Sequence, residues 1–281
     1  MAGAAAVKSL RTFDEAWPIL QEEAINKLID SLETEGQPRN RCFTSDDYMR
    51  LVVYNVCSPN QLSPEVQKMY DQYKKTFEDY ISSKVLPSLR GKEDVNLLTE
   101  LLRRWKIYKS MNYWLSRFFN YLSRYYIPLK KLPSLEETSN LAFYNLVCDE
   151  IKDQVNDAIV SMINREREGE QIDRAFLKEI LEIYEVIGKD SSKYYREDIE
   201  KAIVEATCTF YSRKALNWIA NLSYEDYMLK VEECSQQEKN RISDYLKGLW
   251  SKDKLLEAVH HELLNVQASK LEELTLLHGA V

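Results

Sequence analysis

Few of the side chains that usually perform acid–base or metal chemistry occur in this sequence. Its 281 residues include three histidines, and two of them, His260 and His261, are adjacent. Adjacent residues of a helix point about 100° apart, so these two imidazoles would not converge on one ion. Glu257 and Glu262 lie close in sequence but belong to an ordinary charged helix face. We therefore predict surface or capping roles for these histidines and no metal site.

The usual catalytic motifs are missing as well. The sequence has no Gly-rich phosphate loop, no HExxH and no C-x-x-C motif, and no Ser or Cys has a base placed by a known motif. The cysteines are odd in number and widely spaced, which is typical of a reduced intracellular chain. We expect a non-catalytic protein without a cofactor, whose thiols serve as small core side chains. The five cysteines are Cys42, Cys57, Cys148, Cys208 and Cys234.

One stretch combines charge and aromatic side chains in a way that favours recognition. Between Leu101 and Lys131, eight residues are Lys or Arg and none is Asp or Glu, although the whole chain has a net charge of −7. We call the whole stretch 101–131 the aromatic–basic segment. Nine of its residues are Trp, Tyr or Phe. Arg and aromatic residues dominate protein interfaces, and a basic surface favours an acidic partner. The segment is therefore the first candidate for a binding surface.

Helical spacing sorts these aromatic residues into two neighbouring stripes. Either the helix is central and buried on most sides, or one stripe packs on the core and the other faces a partner. A third interpretation is a groove for single-stranded nucleic acid, which the acidic remainder of the chain disfavours. The first stripe contains Met111, Trp114, Phe118, Tyr121 and Tyr125, and the second contains Leu115, Phe119, Leu122 and Tyr126.

The elements that carry these residues are predicted to be helices throughout. The chain has only seven Gly and seven Pro, and no stretch alternates β-branched and polar residues, which predicts an all-α fold. A long helix over 95–127, closed by Pro128, carries most of the aromatic–basic segment. The other predicted helices are 13–33, one that begins near Thr44 and ends at Ser58, and 63–86, 136–168, 173–187, 192–220, 224–247 and 252–278.

These helices form two blocks of similar size. Each block opens with a long amphipathic helix, at Phe13 and at Glu136, and the spacing of about 120 residues predicts a tandem helical repeat. No apolar run is long enough and free enough of charge to predict a transmembrane helix. The first residues are too weakly apolar for a signal peptide and are predicted to form a flexible tail.

Several segments resemble the cullin family. Residues 161–188 read SMINREREGEQIDRAFLKEILEIYEVIG, which is similar to the second repeat of plant cullins of the cullin-1 type. Further matches lie at 47–49 and 114–119 in the first repeat, and at 210–215, 227–230, 232–234 and 241–246 in the second. The resemblance implies an all-α fold of tandem repeats, each of roughly five helices, that form an elongated curved stalk. The implied domains are a flexible tail (1–12), a first, adaptor-binding repeat (13–130), a second repeat (131–250) and the start of an incomplete third repeat (251–281).

The resemblance also implies a function. In cullin-1 proteins, the second and fifth helices of the first repeat bind a Skp-type adaptor with the BTB/POZ fold, which carries an F-box protein. Those helices correspond to 46–57 and 95–127, and the implied role is a scaffold of an SCF-type ubiquitin ligase in the cytoplasm and nucleus. The adaptor-binding residues predicted in this way are Tyr48, Met49, Leu51, Val52, Lys109, Trp114, Arg117, Phe118, Tyr121, Arg124, Tyr125 and Tyr126.

Two departures from the family pattern qualify this function. The second helix is two residues short, so its four-spaced face becomes Tyr48, Val52 and Val56, and Tyr54 leaves it. The lost aromatic area predicts weaker adaptor binding or an altered partner preference. The sequence also stops at Val281, where a third repeat would barely begin, so recruitment of a RING protein is not expected. Two alternatives remain: a cullin relic or fragment without adaptor binding, or a generic helical-repeat or nucleic-acid-binding module.

Overall fold

The structure is a computed structural model that describes residues 10–36, 46–187, 195–246 and 252–278. Within these ranges the regular elements are helices and none is a strand, which confirms the predicted all-α class. Residues 1–9 of the predicted tail and the predicted helix start at Thr44 lie outside the described residues.

The first half of the chain forms seven of these helices. Helix α1 (Phe13–Leu20) continues through a π turn (Gln21–Ile25) into α2 (Asn26–Glu35). Helices α3 (Asp46–Cys57) and α4 (Pro64–Tyr80) follow, and a second π turn (Ile81–Val85) leads into α5 (Leu86–Leu89). Helix α6 (Asp94–Phe118), a π turn (Leu122–Tyr126) and α7 (Ile127–Lys130) form a long helical run that carries the aromatic–basic segment.

The second half begins with α8 (Leu135–Phe143), a π turn (Tyr144–Cys148) and α9 (Lys152–Arg167). Helices α10 (Arg174–Ile187), α11 (Tyr195–Asn221) and α12 (Tyr224–Asp244) follow. Helix α13 (Lys252–His260), a π turn (His261–Asn265) and α14 (Ala268–His278) complete the described chain.

Several sequence-based helix boundaries are wrong. The helix predicted over 252–278 contains a turn at 266–267, which separates the π turn from α14. The single helix predicted over 136–168 is interrupted: after the π turn, residues 149–151 form a turn before α9 begins at Lys152. No Pro or Gly marks this break. Pro128 does not close the long helical run but lies in the first turn of α7, which continues directly from the π turn. The run ends instead at Lys131, whose φ of 53° is left-handed.

The chain divides into two compact units. The N-terminal unit comprises Met1–Lys92 and Thr99–Ile151, and the C-terminal unit comprises Glu93–Leu98 and Lys152–Val281. The repeat boundaries at 13–130, 131–250 and 251–281 stay predictions.

Aromatic side chains fill the core of the N-terminal unit. The Tyr73 ring lies 5.1 Å from Phe77 and 5.3 Å from Phe119, and the Tyr108 ring lies 5.2 Å from Phe77 and 4.8 Å from Phe143. These edge-to-face and tilted contacts join α4, the α6 run and α8, and such pairs add roughly 0.5–1.5 kcal/mol beyond their buried area. This packing determines which faces of the α6 run remain for a partner.

Buried ion pairs organise the C-terminal unit. The Glu238 carboxylate accepts from Arg167 at 2.9 Å, from Arg241 at 2.8 Å and from the Tyr211 hydroxyl at 2.8 Å. Arg241 also donates to Glu166 at 3.0 Å. Because charges are stable inside a protein only when paired and hydrogen-bonded, this network specifies how α9, α11 and α12 pack.

Candidate functional site

A pocket opens in the N-terminal unit between α3 and the end of the α6 run. Its volume is about 330 Å³, near the lower limit for small-ligand sites. We call it the α3–α6 pocket. Its lining residues are Asp47, Arg50, Leu51, Tyr54, Phe118, Asn120, Tyr121, Arg124 and Tyr125. The pocket therefore joins the two segments, 46–57 and 95–127, that the sequence assigned to partner binding.

Helix α3 presents two faces, and only one of them borders the pocket. The face made by Met49, Val52 and Val56 is buried in the unit. The opposite face carries Leu51, which is half-buried, and Tyr54, which is 51% exposed. Residues three and four apart share a helix face, so the apolar side chains at 49, 52, 53 and 56 seal the core while the positions at 47, 51 and 54 turn outward.

Three tyrosine rings form the aromatic wall of the pocket. The Tyr54 and Tyr121 rings lie 5.8 Å apart at 80°, an edge-to-face arrangement that joins α3 to the α6 run. The Tyr121 and Tyr125 rings lie 4.7 Å apart at 42°. Tyr125 is 44% exposed. Exposed aromatic rings that already pack on one another lose little side-chain freedom on binding, which makes them effective interface anchors.

Arginines supply the polar part of this surface. The Arg50 Nε donates to the Arg117 carbonyl oxygen at 3.2 Å and so ties α3 to α6. The Arg117 guanidinium lies 5.6 Å from the ring centres of Tyr113 and Trp114. Arg124 is exposed at the pocket edge. The cationic edge beside an aromatic wall suits an acidic partner that also offers an apolar side chain.

Burial affects the ionisable groups near the pocket. It raises the pKa of the Tyr121 phenol, and burial followed by the Glu23 carboxylate raises the pKa of Tyr48. Both phenols therefore stay neutral at pH 7. Burial also raises the pKa of Cys57 to about 12, so this thiol remains protonated and unreactive. These groups are suited to recognition rather than to nucleophilic attack.

Four of the predicted site residues are buried in the N-terminal unit, and one of them, Phe118, also lines the pocket. Met49 and Val52 are fully buried, and Phe118 and Tyr126 are each 1% exposed. The Tyr126 hydroxyl donates to the Gln67 side chain, so even its polar end is used inside the unit. On the four-spaced α3 face, Val52 and Val56 therefore pack inward and complete the core, and only Tyr48 remains partly accessible.

The remaining predicted residues separate into two groups. Leu51, Tyr121, Arg124 and Tyr125 line the pocket. Lys109 is exposed, and Tyr48, Trp114 and Arg117 are half-buried, but these four residues do not line it.

The two stripes of the aromatic–basic segment have different surroundings. Leu115, Phe119, Leu122 and Tyr126, the whole second stripe, are buried. The first stripe begins in the core and emerges at its end, with Tyr121 half-buried and Tyr125 exposed. The structure therefore favours the interpretation in which one stripe packs on the core and the other is partly accessible, over a helix that is buried on most sides.

Sequence reasoning missed several residues of the pocket. Tyr54 was expected to have left the binding face, and Asp47, Arg50 and Asn120 were not considered. The spacing of 47, 51 and 54 at steps of four and three is visible in the sequence and indicates a second face of α3. The sequence did not show which of the two α3 faces is available to a partner; the burial of Met49, Val52 and Val56 in the structure did.

His260 and His261 each have a polar neighbour within reach. The His260 Nε2 lies 3.0 Å from the Ser235 hydroxyl, and the His261 Nδ1 lies 3.5 Å from the Glu262 carboxylate. Among the described residues no group of three or more His, Cys, Asp or Glu could hold a metal ion. In the same part of the chain no helix has the length and apolar character needed to cross a membrane.

Comparison with known proteins identifies a family whose model matches most of this chain. The model of the cullin alpha solenoid domain matches residues 21–279. Cullin-1 from Oryza sativa subsp. japonica is 46% identical over 262 residues, which cover 92% of this chain and 34% of that protein. Putative cullin-like protein 2 from Arabidopsis thaliana is 40% identical over 257 residues, 90% of this chain and 67% of the relative.

A shorter relative matches over most of its length. Cullin-like protein 3 from Arabidopsis thaliana is 35% identical over 236 residues, which cover 83% of this chain and 89% of that protein. The chain thus spans about a third of the rice relative's length and most of this one's.

Proposed function

This chain belongs to the cullin family, and from that premise we propose that it is a non-catalytic scaffold of an SCF-type cullin–RING ubiquitin ligase. In this role it binds a Skp-type adaptor with the BTB/POZ fold that carries an F-box protein, and it acts in ubiquitin-dependent protein degradation. The proposal places the protein in the cytoplasm and nucleus. Its cysteines are odd in number and widely spaced, which is typical of a reduced intracellular chain.

The α3–α6 pocket is the observation that carries this proposal. It combines three mutually packed tyrosines, Tyr54, Tyr121 and Tyr125, with the half-buried Leu51. It also lies on the two helices that the family resemblance assigns to the adaptor. An apolar anchor of the adaptor would enter the pocket and displace water from the rings, while Arg124 would attract acidic groups at the edge.

The pocket also replaces the aromatic face that the shortened α3 lacks. The family pattern places aromatics along one four-spaced face, whereas Val52 and Val56 occupy that face here and are buried. Tyr54 approaches Tyr121 from the other side of α3. The adaptor would therefore contact an α3 face rotated from the one predicted, which makes an altered partner preference a direct consequence of the packing.

Titration calorimetry of the full chain against a purified Skp-type adaptor–F-box complex tests the proposal. We expect sub-micromolar binding, and we expect Tyr54→Ala to weaken it by about 2 kcal/mol, roughly thirtyfold, because a central aromatic anchor is lost. Arg124→Glu should also weaken binding, and the loss should be larger at low salt than at high salt, because salt screens the effect of reversing an exposed charge.

The matched control is Leu141→Ala, which removes an exposed apolar side chain of the same unit outside the pocket. Its affinity should equal that of the unmodified chain. A folded chain that does not bind the complex would contradict the proposal and favour a cullin relic without adaptor binding. Equal binding by Tyr54→Ala and the unmodified chain would remove the pocket from the interface.

A further inference from the structure

A groove runs along α12 in the C-terminal unit and shares no residue with the α3–α6 pocket. Its volume is about 790 Å³, and His260 of α13 contributes to one wall. The His260 imidazole lies 3.0 Å from the Ser235 hydroxyl, which positions this wall against α12. The groove is well within the size range of binding sites in proteins.

The floor of the groove is apolar and partly accessible. Tyr224 and Met228 are partly buried and pack against the core cluster that contains Tyr227 and Val231. Leu229 is 67% exposed, the largest exposed fraction among the large apolar side chains described. Methionine side chains adapt their shape to a partner, and burying Leu229 would remove its apolar surface from water. The floor can therefore receive apolar side chains without rearrangement of the unit.

The rim of the groove is acidic. Three glutamates and a single lysine, Lys239, are the charged residues that line it. Glu233 pairs with Lys230 at 2.7 Å, whereas Glu225 and Glu232 are exposed and form no ion pair among the described residues. Two carboxylates thus remain available on either side of Leu229, and their charge favours a basic ligand.

The dimensions of the groove indicate the shape of that ligand. Its lining residues extend from Tyr224 to Lys239 on one continuous helix, a distance of about 22 Å. The apolar lining residues, Tyr224, Met228, Leu229 and Val231, occupy about two turns of this helix, and polar side chains line the remaining length. An apolar surface on a helix with carboxylates beside it is the kind of surface that an amphipathic helix occupies in helix-in-groove recognition.

We propose that the α12 groove binds a basic amphipathic helix of a partner protein, about four turns long. Its apolar stripe packs on Met228 and Leu229, and its Lys or Arg side chains pair with Glu225 and Glu232. This surface would give the protein a second partner, bound independently of any adaptor at the α3–α6 pocket.

Fluorescence anisotropy with a model peptide tests the groove. The probe is a labelled 14-residue helical peptide of Leu and Lys, with Leu at steps of three and four, titrated with the full chain. We expect saturable binding that Leu229→Lys and Glu232→Lys each weaken about tenfold, because each places a cation opposite the basic peptide. A peptide with Glu in place of every Lys should not bind.

The matched control is Leu216→Lys on α11, which changes another exposed leucine of the same unit outside the groove. It should bind the basic peptide as the unmodified chain does. Because Leu229 and Leu216 are both exposed, the two variants should fold equally well, and their circular dichroism melting curves check this. Absence of saturable binding, or equal loss of binding in both variants, would overturn the proposal.

Discussion

At the scale of single residues, Met49 and Tyr54 have opposite surroundings although both lie on α3. Met49 is fully buried and Tyr54 is 51% exposed. The family resemblance assigned Met49 to the interface and moved Tyr54 away from it. A spacing of five residues places the two side chains about 140° apart on a helix, but it does not identify the face that packs on the rest of the unit.

We expect two alanine variants to separate stability from binding. Met49→Ala should lower the free energy of unfolding by about 2–5 kcal/mol, because it leaves a cavity in the core. Tyr54→Ala should lower it by only about 0.5–1.5 kcal/mol, because half of the side chain is exposed and the main loss is its contact with Tyr121. Urea denaturation of both variants measures these differences. A large loss of stability in Tyr54→Ala and none in Met49→Ala would show that Tyr54, and not Met49, packs in the core.

At the scale of elements, side-chain pairs far apart in sequence determine how the helices meet. Arg167 of α9 and Glu238 of α12 are separated by 71 positions, yet their side chains bond at 2.9 Å and are 1% and 0% exposed. Arg241 shares the same carboxylate. A buried pair of this kind adds little net stability relative to apolar packing, but breaking it leaves a charge without compensation.

Glu238→Gln tests this interpretation of the network. The neutral amide would leave Arg167 buried without its counter-charge and Arg241 with Glu166 alone, so we expect the free energy of unfolding to fall by about 3–5 kcal/mol. The midpoint of urea unfolding measures the loss. Glu185→Gln, an exposed substitution on α10, is the control and should have no measurable effect. Equal midpoints for the two variants would mean that the network does not stabilise the folded chain.

At the scale of the whole molecule, each unit contains a glutamate that the fold keeps ionised. Partial burial opposes ionisation of Glu100, but hydrogen bonds from Arg103 and two further cations outweigh it and lower the pKa to about 2. Burial also opposes ionisation of Glu238, yet neighbours headed by Arg167 lower its pKa. Both carboxylates have a lower pKa in the folded chain than the value of about 4.3 expected when unfolded.

The sign of the resulting pH dependence follows from these pKa values. A carboxylate with a lowered folded pKa stabilises the fold above its unfolded pKa, and this stabilisation is lost as the pH falls toward the folded pKa. We therefore expect the urea midpoint to decrease between about pH 4.3 and about pH 2, the window given by Glu100. The decrease should be smaller in Glu100→Gln. A midpoint that is constant or rises on acidification would contradict this expectation.

The sequence by itself determined the helical class, the family and the position of the aromatic–basic segment. These depend on local properties: few helix breakers, apolar side chains at steps of three and four, and a run such as 161–188 that the family shares. Helix ends were harder to predict from the sequence, because no Pro or Gly marks the turn at 149–151.

Only the tertiary structure decided which side of each helix is available. Tyr126 resembles its neighbour Tyr125 in type, yet Tyr126 is a core residue and Tyr125 is exposed and lines a pocket. The difference arises because burial depends on where α3, α4 and α8 pack around the α6 run, and these helices are distant in sequence. The partnership of Glu238 with Arg167 was hidden for the same reason: long-range packing, and no local pattern, brings the two charges together.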